Sequence, residues 1–158
     1  MGRNLSEETA PLASLEQAWR RLRAGEAAPD PDALDHGLLL ARDGARAFRV
    51  IAGGAAARRL TGAVLGADFA SLLAPPARRP QAARLLARAA RRSRPTRARL
   101  LLPERADHAA RRMRLLLLPI RNAAHGETCL IAGLAAEPAP PQPQPQPQPQ
   151  AQPKVIRL

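Results

Sequence analysis

The chain has 158 residues and a formal net charge of +12, with 46% apolar but only 2% aromatic side chains. That length suits one domain with a single core, and the core must be aliphatic. A lone cysteine, Cys129, excludes an internal disulfide, and no apolar run approaches the ~20 residues that span a bilayer.

The charge is unevenly placed. Four arginines face seven acids over residues 1–37, whereas residues 38–137 hold nineteen arginines and six acids. The part expected to fold is therefore the basic part. Such a field attracts polyanions and also keeps a chain in solution. Alanine and arginine are abundant throughout, as GC-rich coding would produce, so each arginine needs a spatial argument. No signal-peptide pattern is visible. The start, Met1-Gly2-Arg3-Asn4-Leu5-Ser6, fits the loose myristoylation pattern, but the composition reads as bacterial, where that modification is not expected. The expectation is a cytoplasmic protein without membrane contact.

In chain order, Leu12, Leu15, Trp19 and Leu22 recur at three- and four-residue steps, the spacing of one helical face. Ser14 and Gln17 have capping-box spacing, Pro11 suits a first turn, and Gly25 is a stop. Residues 27–32, rich in proline and aspartate, predict an extended connector. Two apolar runs around Asp43-Gly44, 38–41 and 46–52, predict a hairpin. Residues 54–61 suit a short helix closed by Gly62. Asp68 can cap another short helix through Leu73, which Pro75-Pro76 prevents from continuing. Residues 78–92 form the clearest helix: Ala82, Leu85, Leu86 and Ala89 share one face and Arg84, Arg88, Arg91 and Arg92 the opposite one. Strands are predicted over 97–102, 112–120 and 128–135, with a turn at 122–126. Arg112 and Arg114 alternate with Met113 and Leu115, so one face is wet at the second strand's start.

From Pro138 onward Pro-Gln repeats replace core-forming residues. Such a segment cannot bury enough surface to offset its ordering entropy, so residues 138–158 read as a disordered tail. It finishes in Lys154-Val155-Ile156-Arg157-Leu158, which reads either as a docking peptide or, the preferred reading, as a chain end. The division is thus 1–37, an N-terminal helix and connector; 38–137, the domain; and 138–158, the tail.

Recognisable chemistry is sparse. Gly53, Gly54, Gly62 and Gly66 lack the spacing of a phosphate loop, and no G-K-[ST] follows. His36, His108 and His125 fall in predicted loops without partner ligands, and one cysteine does not make a zinc site. Ser71 and Ser93 lack a nucleophile-elbow context, and Asp43, Asp68, Glu104 and Asp107 offer no obvious carboxylate pair. No catalytic or metal-binding residue is expected. The arginine face of residues 84–92 has two readings, a solvated helix face or polyanion contact.

The element order is strand, strand, short helices, long helix and three strands, which is that of a PAS domain. Within it, Phe48-Arg49-Val50-Ile51-Ala52-Gly53, Leu60-Thr61-Gly62, Leu65-Gly66 and Phe69 resemble small stand-alone PAS-domain proteins of the type common in alphaproteobacteria. Upstream, Trp19, Leu22-Arg23, Gly25 and Pro29 match the entry of the same proteins. The resemblance spans roughly residues 12–137. It implies an α+β fold: a five-stranded antiparallel sheet with inserted helices, preceded by an amphipathic helix. It also implies a sensory or regulatory module, not an enzyme, that acts through protein partners in a signalling pathway with a small ligand as an optional modulator. No output domain is apparent.

The candidate core or pocket is Phe48, Val50, Leu60, Leu65, Phe69, Leu86, Met113, Leu115, Leu117 and Ile131. No cofactor is predicted. The inserted long helix has no histidine for haem, Cys129 is remote from the inserted helices where a covalent flavin would need it, and aromatic residues are scarce. PAS-like modules pair through flanking helices, so a homodimer is expected with Leu12, Leu15, Trp19 and Leu22 at its interface. The same stripe could instead cover the chain's own sheet. The alternative function is a basic nucleic-acid-associated protein using Arg84, Arg88, Arg91 and Arg92.

Overall fold

A computed structural model describes residues 10–26, 31–104, 106, 109–121 and 127–137. Helix α1 covers Ala10–Arg23. It begins before Ser14, so the capping box expected at Ser14 and Gln17 lies inside the helix, where those backbone N–H groups already have partners. Part of the expected connector is helical instead: α2 is a single turn, Pro31–Leu34, with Pro31 at the first helical position, where its missing N–H costs nothing.

Strands β1 (Gly37–Asp43) and β2 (Ala47–Gly53) form the hairpin around Gly44. The short helix α3 (Ala55–Thr61) ends on Gly62 in the left-handed region, φ 64°. In α4 (Phe69–Leu73) the Asp68 carboxylate accepts the Ser71 backbone N–H at 3.0 Å, the cap that the sequence predicted. A 3-10 turn at Pro76–Arg78 leads into α5, Arg79–Arg91. Strands β3 (Thr96–Leu102), β4 (Arg111–Arg121) and β5 (Thr128–Ala136) complete the regular structure of the described residues. The sheet order is β2-β1-β5-β4-β3, with every pairing antiparallel.

Both faces of this sheet are covered. Side chains alternate across it, so Met113, Leu115 and Leu117 of β4 face α4 and α5, while Leu116 and Leu118 face α1. That is why β4 reads as an unbroken leucine run in place of an alternating strand. Its arginines behave as expected: Arg112 is exposed and Arg114 half-buried.

A remote cap fixes α3. Asp35, at the end of α2, accepts the Ala56 N–H on its carboxylate at 3.2 Å and the Ala57 N–H on its carbonyl at 3.0 Å. The approach is close enough that a Cβ on Gly54 would lie 2.2 Å from the Asp35 carbonyl oxygen. The outer edge of β2 is also covered. Residues 66–68 run along it, with Gly66 N–H on Val50 O at 2.7 Å and Val50 N–H on Ala67 O at 3.0 Å. This settles the role of the sequence's glycine-rich stretch: these glycines shape turns and close contacts.

Candidate functional site

The helix-covered face brings together most of the predicted core. Phe48, Val50, Phe69, Leu86, Met113, Leu115 and Leu117 lie at 1% exposure or less, with Leu60 packed at their margin. Two assignments are corrected. Leu65 is 65% exposed, because it sits in the loop between α3 and the β2 edge with no element over it. Ile131 is buried on the opposite face, among Leu12, Leu15 and Leu116; on β5 it is Leu130, Ala132 and Leu134 that face the helices. A one-residue error in strand parity exchanges the two faces completely.

The stripe expected at an interface between copies lies against the chain's own sheet. Leu12, Leu15 and Trp19 are buried over β4 and β5, and Leu22 is 37% exposed at the end of the helix. Trp19 donates its indole N–H to the Pro119 carbonyl at 2.8 Å. The structure thus assigns Trp19 to an internal contact and not to an anchor between copies. The Arg23 guanidinium lies 5.1 Å from the ring centroid and covers its outer side. Close approach of α1 depends on Gly133 of β5, where a Cβ would meet Leu15 Cδ2 at 2.5 Å. Glu16, 8% exposed, pairs with Arg20 at 2.8 Å and with Arg97 of β3, joining helix to sheet.

The predicted arginine face is exposed at Arg84, Arg88, Arg91 and Arg92. Arg91 and Arg92 line a cleft at the end of α5 to which Arg84 and Arg88 do not contribute. Other titratable residues stay apart. Cys129 lies in β5, and burial, with the Glu127 carboxylate in second place, pushes its thiol up from the ordinary range. Among the described residues no three His, Cys, Asp or Glu side chains are grouped as metal ligands would be. His108, His125, the 122–126 turn and the 138–158 tail lie outside the described residues. Among the described residues no helix is long and apolar enough to cross a membrane.

Among the described residues the exposed large apolar side chains are Leu22, Ile51, Val64, Leu65 and Leu101, and three of these belong to β2 and the loop along its edge. Ile51 occupies the register shift between β1 and β2, a bulge that turns it outward. Arg58 and Arg59, both exposed, lie on α3 just before Val64 and Leu65.

The PAS domain of Bordetella pertussis BvgS matches this architecture with a TM-score of 0.50 at 17% identity, over 67% of this chain and 82% of that one. The fold is that of a PAS domain. A PAS domain of an HTR-like protein from Haloarcula marismortui matches at TM-score 0.48 and 14% identity, over 77% of this chain and 99% of that one. A light-oxygen-voltage domain, from a study with a flavin analogue, matches at TM-score 0.45 and 15% identity, over 67% and 79%. No protein-family model matches the sequence, and no curated protein does. In this PAS fold the inserted helices pack one face of the sheet and α1 packs the other, while Ile51, Val64 and Leu65 stay uncovered at the β2 edge.

Proposed function

We propose that the chain is a sensory or regulatory PAS module that works by contact with a protein partner, not by catalysis. The observation that carries this reading is the PAS fold together with the exposed Ile51, Val64 and Leu65 at its β2 edge. Apolar side chains grouped on an otherwise charged surface are the usual core of a protein contact. Arg58 and Arg59 beside them select a partner whose own apolar patch has an acidic rim. A small ligand enters this proposal as a modulator, and pairing of two copies as a second use of the same edge.

The test is site-specific photo-crosslinking in the source cell, with the photoreactive residue placed at Val64, at Leu65 and, as a control, at Arg84. The expected result is one discrete adduct with a second protein from Val64 and Leu65 and none from Arg84. Adducts only with a second copy would replace the partner by self-association. No adduct, or the same adducts from Arg84, would overturn the reading. Native mass spectrometry of the purified chain reports the ligand: a stoichiometric mass excess supports a modulator, and the bare chain mass removes it from the proposal.

A further inference from the structure

Strand β4 outruns its neighbour. Thr96, the first residue of β3, pairs with Leu117, so residues 118–121 have β5 on one side and no strand on the other. Pro119 occupies this open stretch, where a residue without an N–H is tolerated. The C-terminal ends of α1 and α5 close around it and leave a cleft of about 950 Å³. Its floor is apolar, made by Trp19, Leu22, Pro119 and Ile120. Its rim carries Arg23, Arg42, Arg91, Arg92 and Arg121, and among the described residues no carboxylate lines it.

The five arginines come from four elements and are not equivalent. Arg23 donates to the Ser93 carbonyl, and Arg42 donates to the carbonyls of Gly44 at 3.1 Å and Ala45 at 2.9 Å. Those two are held in place by backbone. Among the described residues, the guanidiniums of Arg91, Arg92 and Arg121 have no hydrogen-bond or ion-pair partner. Arginine at a helix C-terminus has an ordinary explanation, since it answers the helix macrodipole. Each helix end supplies only about half a negative charge, so α1 and α5 together answer about one of the five positive charges. Nearby acids do little more: Asp43 is paired with Arg49, and Glu127 is exposed beside the lining residue Thr128. Among the described residues, the excess positive charge over the apolar floor is left unmatched.

We infer that this cleft binds a small organic polyanion, with its phosphate or carboxylate groups on Arg91, Arg92 and Arg121 and its apolar part on the floor. Guanidinium forks match both oxyanions, and the volume suits a ligand of nucleotide size. A nucleic-acid duplex would instead need a continuous basic face, and Arg84 and Arg88 are not part of this one.

Isothermal titration calorimetry on the full chain tests the proposal, with ATP, citrate and inorganic tripolyphosphate as probes at low and at physiological salt. The expected result is saturable binding of one ATP or citrate per chain, and the preferred probe separates phosphate from carboxylate. Tripolyphosphate, which has no apolar part, should bind several-fold more weakly than ATP if phosphate is preferred. Arg91→Gln with Arg121→Gln should weaken the preferred probe by about ten-fold or more, as loss of two charge-assisted contacts implies. Arg84→Gln with Arg88→Gln removes the same charge outside the cleft and should stay within about two-fold. Leu22→Asp reads the floor and should also weaken binding. Circular dichroism confirms that each variant is folded, and Arg92→Gln alone replaces any pair that is not. The proposal is overturned by no saturable binding below about 1 mM, by equal losses in the two arginine pairs, or by tighter binding of duplex DNA that depends on Arg84 and Arg88. None of these outcomes bears on the β2-edge crosslinks, so the two proposals fail separately.

Discussion

Trp19 combines two roles that substitution can separate. Its ring fills the space between α1 and the sheet, and its N–H satisfies a buried carbonyl on Pro119. Trp19→Ala should cost about 3–5 kcal/mol, as deletion of a buried ring does. Trp19→Phe keeps most of the volume but leaves the carbonyl unpaired, so about 1–3 kcal/mol is expected. Urea denaturation measures both losses. The midpoints should not depend on protein concentration, because the contact lies within one chain; a dependence would return Trp19 to an interface. At Cys129 the sign of the effect is set by burial and then by Glu127, both of which favour the protonated thiol. Its reaction with a disulfide reagent at pH 7–8 should be slower than that of an exposed thiol, rising only at more alkaline pH, and should become fast on unfolding. Exposed-thiol kinetics in the folded chain at pH 8 would contradict this.

At the scale of elements, two glycines make opposite demands. A Cβ on Gly133 meets Leu15 Cδ2 at 2.5 Å, the movable end of a side chain, whereas a Cβ on Gly54 meets the Asp35 backbone at 2.2 Å. Gly133→Ala should therefore cost about 1–2 kcal/mol, and Gly54→Ala about 3 kcal/mol or more, because α3 must leave its remote cap. Thermal melts of the two variants check the order, and the reverse order would refute the packing argument. Helix α5 was legible because its arginines and aliphatics separate at helical spacing, and α4 because Asp68 caps it locally. The facing of Ile131 was not legible. With both sides of the sheet covered, Leu115–Leu118 carry no alternation from which parity can be read. Asp35 caps a helix 21 residues away, a contact that no local spacing encodes. The basic cleft is illegible for the same reason: its arginines meet only once α1, β1, β4 and α5 have been assembled.

For the molecule as a whole, truncation after Glu137 should leave the melting temperature within about 2 °C, since the Pro-Gln repeat offers no core-forming side chains and less than ~0.5 kcal/mol is at stake. A fall of many degrees would place the tail in the fold. Glu137 must be kept, because its carboxylate pairs with Arg99 at 3.1 Å and its backbone N–H donates to the Arg112 carbonyl at 2.9 Å. The two-sided sheet also imposes an order of events during synthesis. Trp19 and Pro119 are 100 positions apart, so at about 5–20 residues per second α1 waits several seconds on the ribosome for the strands that cover it. Through that interval Leu12, Leu15 and Trp19 form an apolar stripe without its β4 and β5 partners, a target for a chaperone. In refolding, the same long loop must close before α1 gains anything from docking. Helix α1, made before every strand, is then expected to be the last of these elements to be fixed. Loss of Leu15 or Trp19 should accelerate unfolding far more than it slows refolding in stopped-flow experiments.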